Sequence, residues 1–227
     1  MANLKRLQKM GNNKKFAVIL SGCGVFDGAE IHEAVMTLYA IAKHGATYEI
    51  FAPNINQYHV INHLDGSVMN EKRNVLVESA RIARGKIKPL NEFNPELFNA
   101  LILPGGFGVA KNLSTWAFDG PKCNIHPQVE AAIKGMHKLK KPIGALCIAP
   151  VLLAKIIGNA TVTIGKDATT AQAIESLGAK HQTTGHAQVV VDEKNMLFTT
   201  PCYMLDANIV DISNGAKAIV SEILKWI

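Results

Sequence analysis

The sequence lacks long apolar runs and paired cysteines. No apolar segment approaches the roughly 20 residues of a transmembrane helix, so we expect neither a membrane-spanning helix nor a membrane partner. The four cysteines, at positions 23, 123, 147 and 202, form no Cys-x-x-Cys pair and show no zinc-ligand spacing. We therefore predict no metal, and we expect free thiols in a reduced compartment.

Aromatic residues are scarce, and they are not interleaved with the basic residues, so we expect no nucleic-acid partner despite a net charge of +6. The acid-free basic stretch lies at the N-terminus, and we expect a tail over 1–14 followed by one domain over 15–227. Because the sequence shows no secretory signal, we expect a cytoplasmic location. An organelle matrix is the alternative if the basic stretch is a targeting remnant.

Short apolar runs alternate with amphipathic segments, which is typical of a parallel α/β sheet. A helix is predicted over 29–44 between the first two strands, and a terminal helix over 204–227. Residues 53–95 interrupt this order, carry a predicted helix over 73–84, and are expected to roof a site at the strand ends. The predicted strands are 15–20, 48–51, 100–103, 142–146 and 161–164, with an antiparallel pair at 187–192 and 196–200.

Cys147 directly follows a predicted strand and precedes an apolar helix with Pro150 in its first turn. A cysteine after an apolar run is commonly a buried core residue. The helix N-terminus, however, favours a thiolate, which predicts a nucleophile with a lowered pKa. The backbone N–H of Ile148 and the turn at Gly105 and Gly106 are predicted to form an oxyanion hole.

Glu30 lies in the first turn of the predicted helix 29–44. It is either a surface acid that complements the helix dipole or a carboxyl that exchanges a proton with Cys147. We take the second interpretation as the catalytic hypothesis. Further pocket candidates, for each of which a packing or surface role is the alternative, are Cys23, His32, His63, Lys111, Asn112 and His186.

The glycines Gly22, Gly24 and Gly28 follow the first strand in a spacing similar to a dinucleotide-binding turn. The spacing has one residue too many, and Asn54 stands near the point where an acid would bind the ribose. Glu30 would also place a negative charge where a pyrophosphate should lie. Dinucleotide binding is therefore a minor alternative, and we expect no cofactor.

Five blocks of the sequence together resemble the ElbB family, the "enhancing lycopene biosynthesis" or isoprenoid-biosynthesis-like branch of the ThiJ/PfpI, class I glutamine amidotransferase-like superfamily. The resemblance covers nearly the whole chain from about residue 15. The blocks are SGCGVFDGAEIHE (21–33), VINHL (60–64), RNVLVESARIARG (73–85), PGGFGVAKNLS (104–114) and LCIAP (146–150).

The resemblance implies a flavodoxin-like three-layer α/β sandwich with a mainly parallel sheet, a homodimer, and no cofactor. It implies a strained nucleophile elbow at Cys147 with Glu30 as its acid partner. The implied activity is of glyoxalase type, converting glyoxal or a similar small aldehyde to a hydroxy acid, with deglycation of early glycated products as an extension.

The sequence departs from the superfamily pattern at one point. Many members carry a histidine at the end of the strand after the cysteine, but here residues 161–167 contain none. His186 is followed by Ala187 and Gln188, so the acid two residues on that glutamine amidotransferases use is also missing. We therefore expect no ammonia release from glutamine. A thiol-based redox sensor or regulatory binding module with little turnover is the competing hypothesis.

Overall fold

A computed structural model describes residues 11–227 as an α/β sandwich around a seven-stranded sheet. The strands of this range are β1 Lys15–Ile19, β2 Thr47–Ala52, β3 Lys88–Pro89, β4 Ala100–Leu103, β5 Ile143–Leu146, β6 Thr161–Val162, β7 Lys180–His181, β8 Val190–Asp192 and β9 Leu197–Thr200. The order in the large sheet is β3-β2-β1-β4-β5-β9-β8, and neighbouring strands run parallel except β8, which is antiparallel to β9. The predicted fold class, the parallel sheet and the antiparallel pair near the C-terminus are confirmed.

Helices cover both faces of the sheet, and each face has its own apolar core. Ile133 and Leu152 belong to one core, whereas Ile41 and Ile219 belong to the other; all four are fully buried. The α-helices are α1 Ile31–Lys43, α2 Val75–Ile82, α3 Phe107–Lys111, α4 Trp116–Asp119, α5 Pro127–Lys138, α6 Pro150–Ile157, α7 Ala168–Ser176 and α8 Ile209–Ile223.

The predicted terminal helix over 204–227 begins too early. Residues Cys202–Met204 form a 3-10 turn, and α8 starts only at Ile209. Asn208 fixes this start, because its side chain accepts hydrogen bonds from the first turn and Asp211 bonds back to it. The strand predicted at 161–164 is also shorter than expected, because β6 ends at Val162. It pairs with β7 in a separate two-stranded sheet.

The insertion 53–95 is fastened to the loop of residues 21–28, which we call the glycine loop. Ser79 of α2 accepts a hydrogen bond from the backbone N–H of Gly22 at 2.9 Å. The backbone N–H of Ile61 donates to Asp27 at 2.7 Å. These bonds place the insertion beside the carboxyl ends of β1 and β4; that it roofs the site stays a prediction.

The part of the chain at 11–227 contains no helix that is both long and apolar enough to cross a bilayer. The expected tail over 1–14 lies mostly outside the described residues. Its last residues are ordered against the start of β2, where the backbone N–H of Gly11 donates to His44 O and that of Thr47 to Lys14 O.

Candidate active site

Cys147 occupies a sharp turn between β5 and α6. Its φ is 58°, in the left-handed region that side chains rarely adopt. The turn is held by a bond from the Cys147 backbone N–H to the carbonyl of Thr200 at 3.0 Å. Since such strain persists only where the surroundings enforce it, this backbone makes the turn a candidate functional site.

The backbone N–H groups of Gly106 and Ile148 lie beside the sulfur of Cys147, where they lower the pKa of its thiol. They come from the two turns that the sequence predicts as donors. Gly105, in the first of these turns, donates its backbone N–H to Oε2 of Glu33 at 2.8 Å. The residue Cys147 is only 7% exposed, so both donors act in a largely water-free setting.

The carboxyl beside the sulfur of Cys147 is that of Glu33 in the first turn of α1, because a Cβ added at Gly105 would lie 2.7 Å from Oε2 of Glu33 and 3.0 Å from Sγ of Cys147. Glu33 is fully buried. Besides the bond from Gly105, its Oε1 accepts from the backbone N–H of Tyr203 at 3.2 Å. The carboxyl is therefore fixed by main-chain donors on two sides, with the sulfur as its third partner.

Burial raises the pKa of Glu33 from 4.5 to about 8, and the nearby charge of Glu30 adds to this. Burial also raises the pKa of Cys147 well above its ordinary value, with a further contribution from Glu33. The expectation of a lowered pKa for the Cys147 thiol is therefore wrong. The bonds from Gly106 and Ile148 do lower this pKa, but loss of hydration outweighs them.

Glu30, the predicted acid partner, forms the N-cap of α1 instead of contacting the sulfur. Its Oε2 accepts a bond from the backbone N–H of Glu33 at 2.7 Å, and its Oε1 lies 3.9 Å from Nδ1 of His32. A capping side chain folds back onto its own helix, which turns it away from Cys147. Glu30 thus contributes to the site through Glu33, because its charge adds to the effect of burial in raising the pKa of that carboxyl.

His32 lies at the edge of the same site. Its Nδ1 is 2.8 Å from the hydroxyl of Tyr203, whose backbone N–H holds Glu33. The preceding residue, Cys202, has a φ of 43° and is buried. The strained turn at Cys202 therefore positions the backbone N–H of Tyr203 against Glu33. The strained turn at Cys147 positions the sulfur in a similar way.

Two other pocket candidates, Asn112 and Lys111, bind the glycine loop instead. Asn112 is buried and donates to the carbonyls of Ser21 and Asp27 at 2.9 and 2.8 Å, while its Oδ1 accepts from the backbone N–H of Tyr58. Lys111 donates to the carbonyl of Phe26 at 2.9 Å. These bonds give Asn112 and Lys111 a role in shaping the loop that leads into α1.

His63 joins the insertion to the glycine loop. Its Nε2 lies 3.2 Å from the backbone nitrogen of Phe26, and its Nδ1 lies 3.0 Å from the carbonyl oxygen of Ile61. Cys23 is partly exposed, and burial together with the charge of Glu78 raises its pKa. His63 and Cys23 both lie where the insertion meets the glycine loop. Their contact with a substrate stays a prediction.

His186 is exposed, on the connection between β7 and β8. The hydrogen bonds recorded among residues 11–227 include none from its ring. Its predicted role at the pocket therefore has no supporting contact.

Two features of the site escaped the sequence analysis. Glu33 could have been found, because it shares the buried face of α1 with Thr37 and Ile41, and an acid on such a face signals a buried carboxyl. The 202–204 turn carried no comparable signal, since it lies between the predicted strand 196–200 and the predicted helix 204–227 and has no periodicity of its own.

The glycine loop does not form a phosphate-binding turn. The backbone N–H of Gly24 donates to Ala29 O and that of Gly28 to Gly24 O, so these groups satisfy the loop itself. The carboxylate of Glu30 already caps the N-terminus of α1. The geometry gives the dinucleotide alternative no support.

Replacing Gly105 with alanine should destabilise the site. An added Cβ would lie 2.5 Å from Cβ of Cys147 and 2.7 Å from Oε2 of Glu33, distances that force both groups to move. We expect a loss of about 1–3 kcal/mol in the free energy of unfolding. Urea denaturation measures the change.

Gly185→Ala is the matched control, because its added Cβ would meet its nearest neighbour at 3.6 Å. It should unfold like the wild type. Equal stability of Gly105→Ala and Gly185→Ala would contradict the close approach at Cys147.

The sheet, the strained cysteine turn and the buried carboxyl define a flavodoxin-like α/β protein with a cysteine in a sharp strand-to-helix turn. The chain matches the DJ-1/PfpI family over residues 23–202. This protein belongs to the DJ-1/PfpI family.

Similar proteins agree with this assignment. The ES1 protein homolog, mitochondrial, of Rattus norvegicus is 47% identical over 221 residues, covering 93% of this chain and 83% of that protein. The Homo sapiens protein named glutamine amidotransferase-like class 1 domain-containing protein 3, mitochondrial, is 46% identical, covering 93% of this chain and 82% of that protein.

Solved structures share the fold. An isoprenoid biosynthesis protein with amidotransferase-like domain from Ehrlichia chaffeensis has a TM-score of 0.87 at 36% identity, covering 94% of this chain and all of that one. Glyoxalase III from Candida albicans has a TM-score of 0.57 at 14% identity, covering 92% and 96% of the two chains. The second likeness concerns the fold alone. The narrower resemblance to the ElbB branch stays a prediction.

Proposed function

We propose that the protein is a cofactor-independent, glyoxalase-type enzyme that converts glyoxal or a related small α-oxoaldehyde to its hydroxy acid. The observation that carries the proposal is the sulfur of Cys147, which faces two backbone N–H donors and a buried carboxyl at once. A nucleophile, an oxyanion hole and an acid–base group are the parts that addition to an aldehyde needs. The glyoxalase III structure offers a fold precedent only.

In the first step, the ionised carboxylate of Glu33 takes the thiol proton, and the Cys147 sulfur attacks one aldehyde carbon. The carbonyl π electrons move to oxygen, and the backbone N–H groups of Gly106 and Ile148 stabilise the oxyanion. Glu33, now protonated, returns the proton to this oxygen. The product is a neutral hemithioacetal, and the carboxylate is regenerated.

In the second step, Glu33 removes the proton from the hemithioacetal carbon to give an enediolate and returns it to the neighbouring carbon, while the proton of the hemithioacetal hydroxyl moves to the second oxygen. The first carbon is thereby oxidised to a thioester, and the second is reduced to an alcohol. Water then cleaves the thioester, which releases the hydroxy acid and restores the thiol of Cys147. Since oxidation and reduction occur within one molecule, the balance requires no redox cofactor.

The proposal has three extensions, which concern a secondary activity, a pathway and a location. Early glycated products carry related carbonyl groups, so deglycation is a secondary activity. The name of the Ehrlichia chaffeensis structure supports a pathway link to isoprenoid biosynthesis, without a reaction on isoprenoids. Because the rat and human relatives are named mitochondrial, an organelle matrix is proposed alongside the cytoplasm.

We also propose a homodimer. Three apolar side chains of α1 form an exposed row at four-residue spacing: Ile31, Val35 and Tyr39 are 42%, 41% and 53% exposed. A helix face of this kind is typical of a surface that a second copy covers.

Purified protein should convert glyoxal to glycolate without any added cofactor. Proton NMR follows the loss of glyoxal and the gain of glycolate, and a reaction in deuterated water reports solvent exchange at the reprotonated carbon. Loss of glyoxal without glycolate would contradict the proposal, because it indicates simple adduct formation with lysine and arginine.

A thiol-based redox sensor is the second candidate. The same groups around Cys147 favour this function, because a protonated Glu33 and the N–H groups of Gly106 and Ile148 can donate hydrogen bonds to the oxygens of an oxidised sulfur. Mass spectrometry after mild peroxide treatment separates the two functions. Rapid, selective oxidation of Cys147 with negligible glycolate formation supports the sensor, whereas turnover by a thiol that resists oxidation supports the enzyme.

A further inference from the structure

A groove of about 780 Å³ lies along the outer edge of β2. β3 pairs only with Phe51 and Ala52, the last two residues of β2. On that outer edge, residues 48–50 have no strand of the described chain beside them and line the groove, while on their other edge they pair with β1. Because β1 and β4 separate β2 from β5, the groove is distinct from the Cys147 site.

The floor of the groove is apolar. Leu38 of α1 and Ile50 of β2 are 8% and 3% exposed, and the partly buried side chains of Ile82 and Ile87 extend the apolar surface. The volume falls within the roughly 300–1,000 Å³ of small-molecule sites. An apolar chain laid on this floor would lose most of its contact with water.

The rim of the groove is basic. Arg84, Lys86 and Lys88 are exposed around it, and Glu49 is the acid among its lining residues. Glu49 is already engaged by Lys15 at 2.6 Å and by Lys88 at 3.1 Å. Within residues 11–227, the recorded salt bridges leave Arg84 and Lys86 without a carboxylate partner.

We propose that this groove binds a small amphipathic anion, with its apolar chain on Leu38, Ile50 and Ile87 and its head group at Arg84 and Lys86. A guanidinium and an ammonium beside an apolar floor match a carboxylate or phosphate on a hydrocarbon chain in both charge and polarity. The two head groups share the same recognition chemistry. A cationic or uncharged amphiphile lacks the matching charge.

Isothermal titration of the full chain tests the proposal with four probes: decanoate, decyl phosphate, decanol and decyltrimethylammonium. Saturable binding of one or both anions is expected below their micelle-forming concentrations, and binding of decanol and the cation should be weaker by roughly tenfold or more. The ratio of the decanoate and decyl phosphate affinities then identifies the head group. Cys147→Ala should bind like the wild type, because the groove does not include that site.

The double variant Arg84→Ala/Lys86→Ala should weaken anion binding by roughly tenfold. Its matched control is Lys138→Ala/Lys140→Ala, which alters a smaller basic depression of about 230 Å³ lined by His137, Lys138, Lys140, Lys194, Asn195 and Met196. The control should leave binding unchanged. Backbone amide NMR shifts caused by decanoate should centre on residues 48–50 and 82–88.

Three results would overturn the proposal. Equal binding of the anionic and cationic probes would indicate general surfactant behaviour. Tighter binding of an oligoglutamate peptide than of either anion would assign the groove to a peptide. Dissociation of an oligomer by Arg84→Ala/Lys86→Ala in sedimentation would assign it to a second copy of the chain.

Discussion

Cys147→Ala should reduce glycolate formation from glyoxal by at least roughly 10³-fold. The sulfur is the only group proposed to bond covalently to the aldehyde, so its removal leaves the two N–H donors and Glu33 with no adduct to act on. Steady-state kinetics of glyoxal loss and glycolate gain measure the effect. The free energy of unfolding should change by only about 1 kcal/mol, because alanine keeps the Cβ of Cys147 and removes a single buried sulfur atom.

Cys123→Ala is the matched control for this prediction. Cys123 is 2% exposed, comparable to Cys147 in burial, but it follows the 3-10 turn Gly120–Lys122 outside the site. It should keep wild-type turnover. The cysteine mechanism is wrong if Cys147→Ala retains activity while both variants remain folded.

Glu33→Gln should lower kcat/KM by roughly 10²–10³-fold, because glutamine can neither accept the thiol proton nor return it. In the wild type, kcat/KM should rise with pH toward the Glu33 pKa of about 8, since the carboxylate is the active base. This inflection should disappear in the variant. The pH midpoint of Cys147 alkylation should fall, because Glu33 contributes to raising the pKa of that thiol.

The same substitution should change how stability depends on pH. Between pH 4.5 and about 8, native Glu33 holds a proton that the unfolded chain releases. Its contribution to the free energy of unfolding is therefore fully present below this window and is lost as the pH rises through it. Urea unfolding at several pH values should show this loss in the wild type and not in Glu33→Gln.

Glu30→Gln distinguishes the two acids. It keeps an oxygen to cap α1 but removes the charge that helps to raise the pKa of Glu33. The activity inflection should move to lower pH with kcat/KM largely retained. A larger loss of activity in Glu30→Gln than in Glu33→Gln would restore Glu30 as the proton carrier.

Hydrophobic periodicity was sufficient to predict most of the fold. β4 was predicted at its observed bounds, and Cys147 was placed correctly after β5, because buried parallel strands are short apolar runs with clear ends. The start of α8 was missed by five residues. Asn208 sets that start through side-chain bonds, which an apolar pattern does not record.

The interpretation of Glu30 as the acid partner of Cys147 depended on where α1 begins. A helix from residue 29 puts Glu30 in the first turn with its side chain free, whereas the observed start at Ile31 makes Glu30 the cap. Glu33 then lies on the buried face. The pKa of Cys147 was equally beyond the sequence, since it depends on burial and on a residue more than a hundred positions away.

The turns around the site approach one another backbone to backbone. A side chain at Gly106 would come within 2.4 Å of Glu30 N and Gly28 O, and one at Gly108 within 2.5 Å of Ser21 O. The positions of the donors are therefore set by main-chain packing. In the proposed enzyme, substitutions of His32 and Tyr203, whose side chains contact each other at the edge of the site, should change substrate selectivity while the geometry of Cys147 and Glu33 is kept.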